Sequence, residues 1–218
     1  MTQDLLNKLY TKLLPIVGEK FNEAPLYFSL DENSEYAPLF VDKTHSEVQK
    51  SLDELIASKG KNWSISGYLE NRAAIVKSFS QMLAERRFFH LGVDLNLPCG
   101  ANLYAPFDCV VEFSGFEDGE GNYGGNTLLK CKNSETEFYM VFGHLDSATL
   151  HAKGTLLKKG DVFGQIGDEG QNGNWFYHTH MQILTPLAYE KGWLSKGYCN
   201  ENDLQTIKDF CPDPFSFL

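Results

Sequence analysis

Residues 137–142 (Glu-Phe-Tyr-Met-Val-Phe) and 178–184 (His-Thr-His-Met-Gln-Ile-Leu) are apolar runs too short for an ordinary helix. Four similar runs lie around them, at 104–106, 110–113, 127–131 and 162–166, separated by Gly, Asn and Asp. Such a series predicts an antiparallel β domain. Residues 115–125, rich in glycine, are its expected hairpin turn or long loop.

Upstream the texture changes. Leu5, Leu6, Leu9, Leu13, Leu14 and Val17 recur at spacings of three and four, which predicts a helix docked by one apolar stripe. Its polar face is not basic enough for a membrane-surface helix. Thr44 and Glu47 form a capping-box pattern that opens a second helix, with Val48, Leu52, Leu55 and Ile56 inward and Gly60 at its end. Pro25, Pro38 and the polar stretch 31–35 read as loop. Residues 66–86 read as a third helix, with Leu69, Ala73, Val76, Phe79 and Leu83 on one side. Near the end, 203–210 reads as a short helix stopped by Pro212 and Pro214. The expected class is α+β: a mainly helical segment over residues 1–86, then an antiparallel β domain over 87–218, its sheet reaching about residue 190 and its tail holding the short helix.

The 218 residues are 42% hydrophobic and 22% charged, enough for a full core and too apolar for general disorder. A formal charge of −10 repels phosphate backbones and anionic lipid, so neither nucleic acid nor a membrane is an expected partner. Cys99, Cys109, Cys131, Cys199 and Cys211 are an odd set whose spacings fit no zinc finger or ribbon, and they read as reduced thiols. The first 21 residues carry Asp4, Lys8 and Lys12 and no small-residue cleavage site, unlike a signal peptide. Cytoplasmic location is the expectation.

Three segments carry histidines into the β part. In His90-Leu91-Gly92-Val93-Asp94, side chains four apart on an extended chain share a face. So do His178 and His180, two apart. His144 stands at the end of a predicted strand. A hydrolytic zinc site takes three protein ligands from such groups and leaves one position open. Five are present here, and the surplus suits proton transfer and oxyanion stabilisation. His45 and His151 fall outside the pattern. The string Gly119-Glu120-Gly121-Asn122-Tyr123-Gly124 imitates a dinucleotide fingerprint, but a strand-like run follows it where a helix is required, so it reads as a hairpin loop.

Residues 87–186 resemble the lysostaphin-type, or LytM-like, zinc endopeptidases of peptidase family M23. The likeness rests on His90-x-Gly92-x-Asp94, then Pro98, Gly100, Leu103 and Ala105. It continues through Tyr123-Gly124-Gly125-Asn126, Gly143-His144-Leu145 and Lys159-Gly160-Asp161-Val162-Phe163-Gly164. It closes on Gly173 and His178-Thr179-His180-Met181-Gln182-Ile183. Phe142, Tyr177, Thr179 and Met181 depart from the family pattern around the cleft and leave all five site positions intact. The resemblance implies Zn2+ held by His90, Asp94 and His180, a catalytic pair His144 and His178, and zinc-dependent hydrolysis of a peptide amide bond. The implied substrate has a small residue at the cut, as in peptidoglycan cross-links. Two alternatives stay open: a non-catalytic binding module of the same fold, or a hydrolase of another amide in the cytoplasm. A purely structural zinc would need a fourth protein ligand.

The flanks, with Gly67-Tyr68-Leu69-Glu70-Asn71-Arg72, Glu85-Arg86-Arg87 and Cys211-Pro212-Asp213-Pro214, resemble members of that family without export signals. A plainer reading has Tyr68, Glu70 and Arg72 bracing the helix against the sheet. Residues 1–86 are expected to pack on the β domain and narrow one end of the cleft. Asp31 and Asn33 are available there to enter the open metal position.

Overall fold

In the computed structural model, residues 3–132 and 136–218 are described. Thr44 accepts from Glu47 N while the Glu47 carboxylate accepts from Thr44 N, and this closed box starts helix α2 (His45–Ser58). Gly60, at φ 66°, lies just beyond its end. The leucine stripe builds α1 (Gln3–Val17), with Leu9, Leu13, Ile16 and Val17 buried. The side chain of Leu5 lies outside the described residues.

The remaining helices are short: α3 (Ala73–Val76), α4 (Ser80–Glu85), α5 (Pro186–Glu190) and α6 (Ile207–Phe210). The strands in chain order are β1 (Leu26–Tyr27), β2 (Ser64–Ser66), β3 (Phe89–His90), β4 (Val93–Asn96), β5 (Asn102–Tyr104) and β6 (Cys109–Glu117). Then come β7 (Gly124–Lys132), β8 (Glu137–Leu145), β9 (Leu156–Leu157), β10 (Val162–Gln165), β11 (Thr179–Leu184) and β12 (Tyr198–Cys199).

Eight strands form one sheet in the order β1-β2-β4-β11-β8-β7-β6-β9. Every pairing in it is antiparallel except β1 with β2. The α+β class with an antiparallel sheet is therefore the architecture of the chain. Alternation along the strands divides the sheet. Val93, Leu95, Met140, Phe142, Met181 and Ile183 point to one face and form a core with α1, Phe21 and Trp63. Asp94, His180 and Gln182 alternate with them and point to the other face, whose apolar remainder packs on α5 and the C-terminal tail. Residues 3–86 thus share the main core and supply two strands of the sheet.

Three expectations need correction. The third helix does not run through 66–86. Ser66 belongs to β2, Leu69 sits at φ 57°, and only α3 and α4 are helical, with Met82 buried where Leu83 stands exposed. Residues 69–72 instead run beside β3, with Leu69 N bonded to His90 O and Arg72 N to Phe88 O. His90 and Asp94 do not lie on one continuous strand, because the chain breaks between β3 and β4 at Leu91-Gly92. The terminal helix is shorter than expected, beginning at Ile207 after a 3-10 turn.

Cys109 faces Cys131 across β6 and β7, and both are buried, as are Cys199 and Cys211, whereas Cys99 is exposed. Thiol titration of the denatured, unreduced protein is expected to count five groups, and of the native protein one fast group at Cys99. Fewer than five would count against a reducing environment.

Candidate metal centre

β4 and β11 pair so that His180 stands directly opposite Asp94. β3 is displaced sideways to pair with β12 and brings His90 in from the third side. The displacement needs Gly92, since a Cβ there would lie 2.5 Å from Met181 O and 2.7 Å from the His180 ring. His90 Nε2 lies 2.8 Å from His180 Nδ1 and 3.2 Å from Asp94 Oδ1, and His180 Nδ1 lies 3.5 Å from the same oxygen. Among the described residues, His90, Asp94 and His180 form the one group spaced to share an ion.

His178 just precedes β11 and keeps the same side as His180, with its Nε2 3.6 Å from Asp94 Oδ1. His144 arrives differently. By simple alternation it would follow Phe142 into the core. Between the Gly125–Leu145 and Thr127–Phe142 pairs, β8 carries one residue more than β7, and His144 takes φ 64° in that bulge. The ring is thereby turned to the site, with its centroid 4.4 Å from that of His178. All five side chains are at least 95% buried and line one cavity of about 270 Å³.

The outward nitrogen of each imidazole is occupied by an oxygen. His90 Nδ1 donates to Gly67 O (2.9 Å), His144 Nδ1 to Asn172 O (2.8 Å) and His178 Nδ1 to Phe176 O (2.7 Å). His180 Nε2 donates to Gln182 Oε1 (2.9 Å), whose amide is oriented by its own donation to Lys196 O. Carbonyl oxygens only accept, so each ring turns an unprotonated nitrogen towards the cavity. Burial lowers the pKa of His90 to about 3, aided by the Arg72 charge, and burial likewise lowers His144 and His178. Neutral imidazoles are the form that binds metal. Burial would raise the Asp94 carboxyl, but facing His90 and Arg72 outweigh it and hold the group well below the usual carboxylate range.

Asp94 is the informative residue. Its Oδ2 accepts from Arg72 Nη1 (2.6 Å) and Ser66 Oγ (3.2 Å). Its Oδ1 is buried and receives no hydrogen bond. An ionised oxygen left so is costly. A cation bounded by Oδ1 and the nitrogens of His90 and His180 meets that need, and two nitrogens with one oxygen suit Zn2+.

Asp31 and Asn33 do not line the cavity. Asp31 is used up in its own turn, accepting from Asn33 N and from Asn71 N. Other residues of the first 86 do reach it: Arg72, Gln81 and Met82 line the cavity, and Phe79 packs on Trp175 at 4.8 Å between ring centroids. His45, which the sequence patterns leave out, bonds Trp175 O through Nε2 and holds the loop before His178. Its signal was its place in the first turn of α2. Gln182, two residues beyond His180 on a strand, was legible as a same-face neighbour. Asn172 and Gly67 act through backbone oxygens and carry no side-chain signal. The Gly-x-Gly-x-x-Gly string lies in the turn from β6 to β7, with its last glycine, Gly124, opening β7.

No curated protein matches the chain. Several solved structures resemble parts of it. A zinc-containing peptidase from Vibrio cholerae is 24% identical over 44% of this chain and 27% of that one, with a TM-score of 0.38. The catalytic domain of a prophage-encoded M23 protein, EnpA from Enterococcus faecalis, is 20% identical over 52% and 77%, with a TM-score of 0.38. The lysostaphin catalytic domain from Staphylococcus simulans is 18% identical over 56% and 80%, with a TM-score of 0.40. The match to this chain thus spans about a quarter of the Vibrio cholerae peptidase. Residues 88–190, which contain all five clustered side chains, match the sequence profile of Peptidase family M23.

Proposed function

We propose that the protein is a zinc metallopeptidase, with Zn2+ held by His90 Nε2, Asp94 Oδ1 and His180 Nδ1. The observation that carries this reading is the buried, unsatisfied Asp94 Oδ1 between two imidazole nitrogens that face it unprotonated. Zinc bound there supplies a Lewis acid for the scissile carbonyl and lowers the pKa of water. His144 and His178 present Nε2 to the cavity, within reach of the same reacting atoms. One accepts the proton of the attacking water at its unprotonated Nε2 and, once it carries that proton, delivers it to the leaving amine, while the other, when protonated at Nε2, steadies the developing oxyanion. The carbonyls of Asn172 and Phe176 hold both rings in the required tautomer.

The substrate we propose is a peptide with a small residue at the cut, of the kind found in peptidoglycan cross-links. The cavity supports a narrow substrate, since Trp175, Phe176 and Met82 wall it. We further propose that it acts in the cytoplasm, on wall-derived peptides or another amide. No described helix is long and apolar enough to cross a membrane.

The test is incubation of the zinc-loaded protein with muropeptides and a peptide library, read by mass spectrometry. New termini are expected, lost with a chelator and restored by zinc. Zinc-loaded protein that cuts neither pool would leave a binding module of the same fold.

A further inference from the structure

Arg72 is almost fully buried, and its guanidinium hydrogen-bonds Asp94, Tyr198, Ser66 and Glu70. Nη1 donates to Asp94 Oδ2 (2.6 Å) and Tyr198 Oη (3.3 Å). Nη2 donates to Ser66 Oγ (3.1 Å) and Glu70 Oε2 (2.9 Å), and Nε to the same Glu70 oxygen (3.0 Å). The other Glu70 oxygen accepts from Gly67 N, and Gly67 O accepts from His90 Nδ1. Residues 66–72 therefore hold two of the three proposed ligands from behind through one closed chain of bonds.

We infer that Arg72 is a positioning residue of the metal centre, engaging Asp94 Oδ2 so that Asp94 meets the metal through Oδ1 alone. The inference rests on the metal reading above and concerns how one ligand is presented. A carboxylate with both oxygens free can chelate an ion through two contacts and add a coordination position. With Oδ2 bound to a guanidinium that Glu70 fixes, only Oδ1 remains. Lysine cannot replace this arrangement. A single ammonium lacks the planar fork that reaches Asp94, Ser66 and Glu70 together. The metal centre then draws on residues before the M23 match as well as within it.

The protein and its Arg72→Lys and Glu70→Gln variants are compared in two ways. Zinc affinity is measured against a chromophoric chelator. The visible spectrum of the Co2+-loaded protein reports coordination number, since four-coordinate Co2+ absorbs more strongly than five-coordinate. Loss of an outer contact to a ligand typically weakens metal binding by about 10- to 100-fold. That loss is expected for Arg72→Lys, with weaker Co2+ bands as Asp94 gains use of both oxygens. Glu70→Gln leaves the Arg72–Asp94 contact in place and loosens it. It is expected to move both readouts the same way by less, and it decides the matter if Arg72→Lys melts before loading. Variants that load zinc with unchanged affinity and keep the parent Co2+ spectrum overturn the role of Arg72 alone. A parent chain that takes up no zinc overturns the metal reading itself, and this inference with it.

Discussion

Replacing His180 by alanine is expected to take the purified protein from about one equivalent of zinc to about none, the largest single change the site offers. His180 stands across from Asp94 in the sheet, so its position is set by backbone pairing rather than by a mobile loop. Its Nδ1 is one of two nitrogens facing Oδ1. Without it only His90 and Asp94 remain, and two protein ligands are fewer than any ordinary catalytic zinc site uses. The strand itself should survive. β11 keeps its pairs to β4 and β8, and Met181 and Ile183 keep their places in the core. Circular dichroism and a thermal melt check that, and elemental analysis of dialysed protein gives the metal count. Stoichiometric zinc in a folded His180→Ala protein would sink the ligand assignment. His90→Ala is expected to behave alike.

His144→Ala and His178→Ala are expected to do the opposite: to keep the metal and lose hydrolysis. Neither ring is needed to complete the three-ligand set, and each is anchored to a backbone carbonyl. Removing a general acid or base costs on the order of a hundred-fold or more in kcat. The two ring centroids lie 4.4 Å apart and on the proposed function would serve the same reacting atoms, so their losses should not add. The double variant is expected to fall little below the worse single one, as for other groups that act as a unit. Steady-state kinetics on whichever peptide the library assay identifies, with zinc measured on each variant, separates the outcomes. A variant that sheds its zinc while still folded would show that a ligand had been mistaken for a catalyst.

Much of the fold is legible in the sequence. The leucine stripe of α1 and the capping box of α2 are local signals, and both elements stand where those signals put them. The β runs at 110–113, 127–131, 137–142, 162–166 and 178–184 fall on strands, but the run at 104–106 meets β5 only at Tyr104, and β6 and β7 extend into the expected loop at 115–125. His178 and His180 could be read as a pair because residues two apart on an extended chain share a face, whereas the division of the cluster into ligands and catalysts is what the M23 likeness implies and remains a proposal. What failed was local reasoning where distant partners decide. The periodicity of Leu69, Ala73, Val76, Phe79 and Leu83 is real, but residues 66–72 are drawn alongside β3 by Asp94 and His90. β1 and β2 are two and three residues long, too short to display a period. His144 reached the site through a bulge that no pattern announces, since alternation alone would have buried it on the wrong face.

That bulge has a consequence for how such a chain can change over time. A non-glycine residue in the left-handed region costs roughly 1–2 kcal/mol, and glycine or asparagine at the same place costs less. On the proposed function, the protein carries a standing penalty at His144 that selection for chemistry would maintain. In a lineage released from that selection, glycine or asparagine at this position would be favoured by stability at once, whereas loss of Asp94 would leave the buried Arg72 guanidinium without one of its two carboxylate partners. Decay should begin at His144, and descendants that had lost catalysis but still gripped a metal would be the first to accumulate.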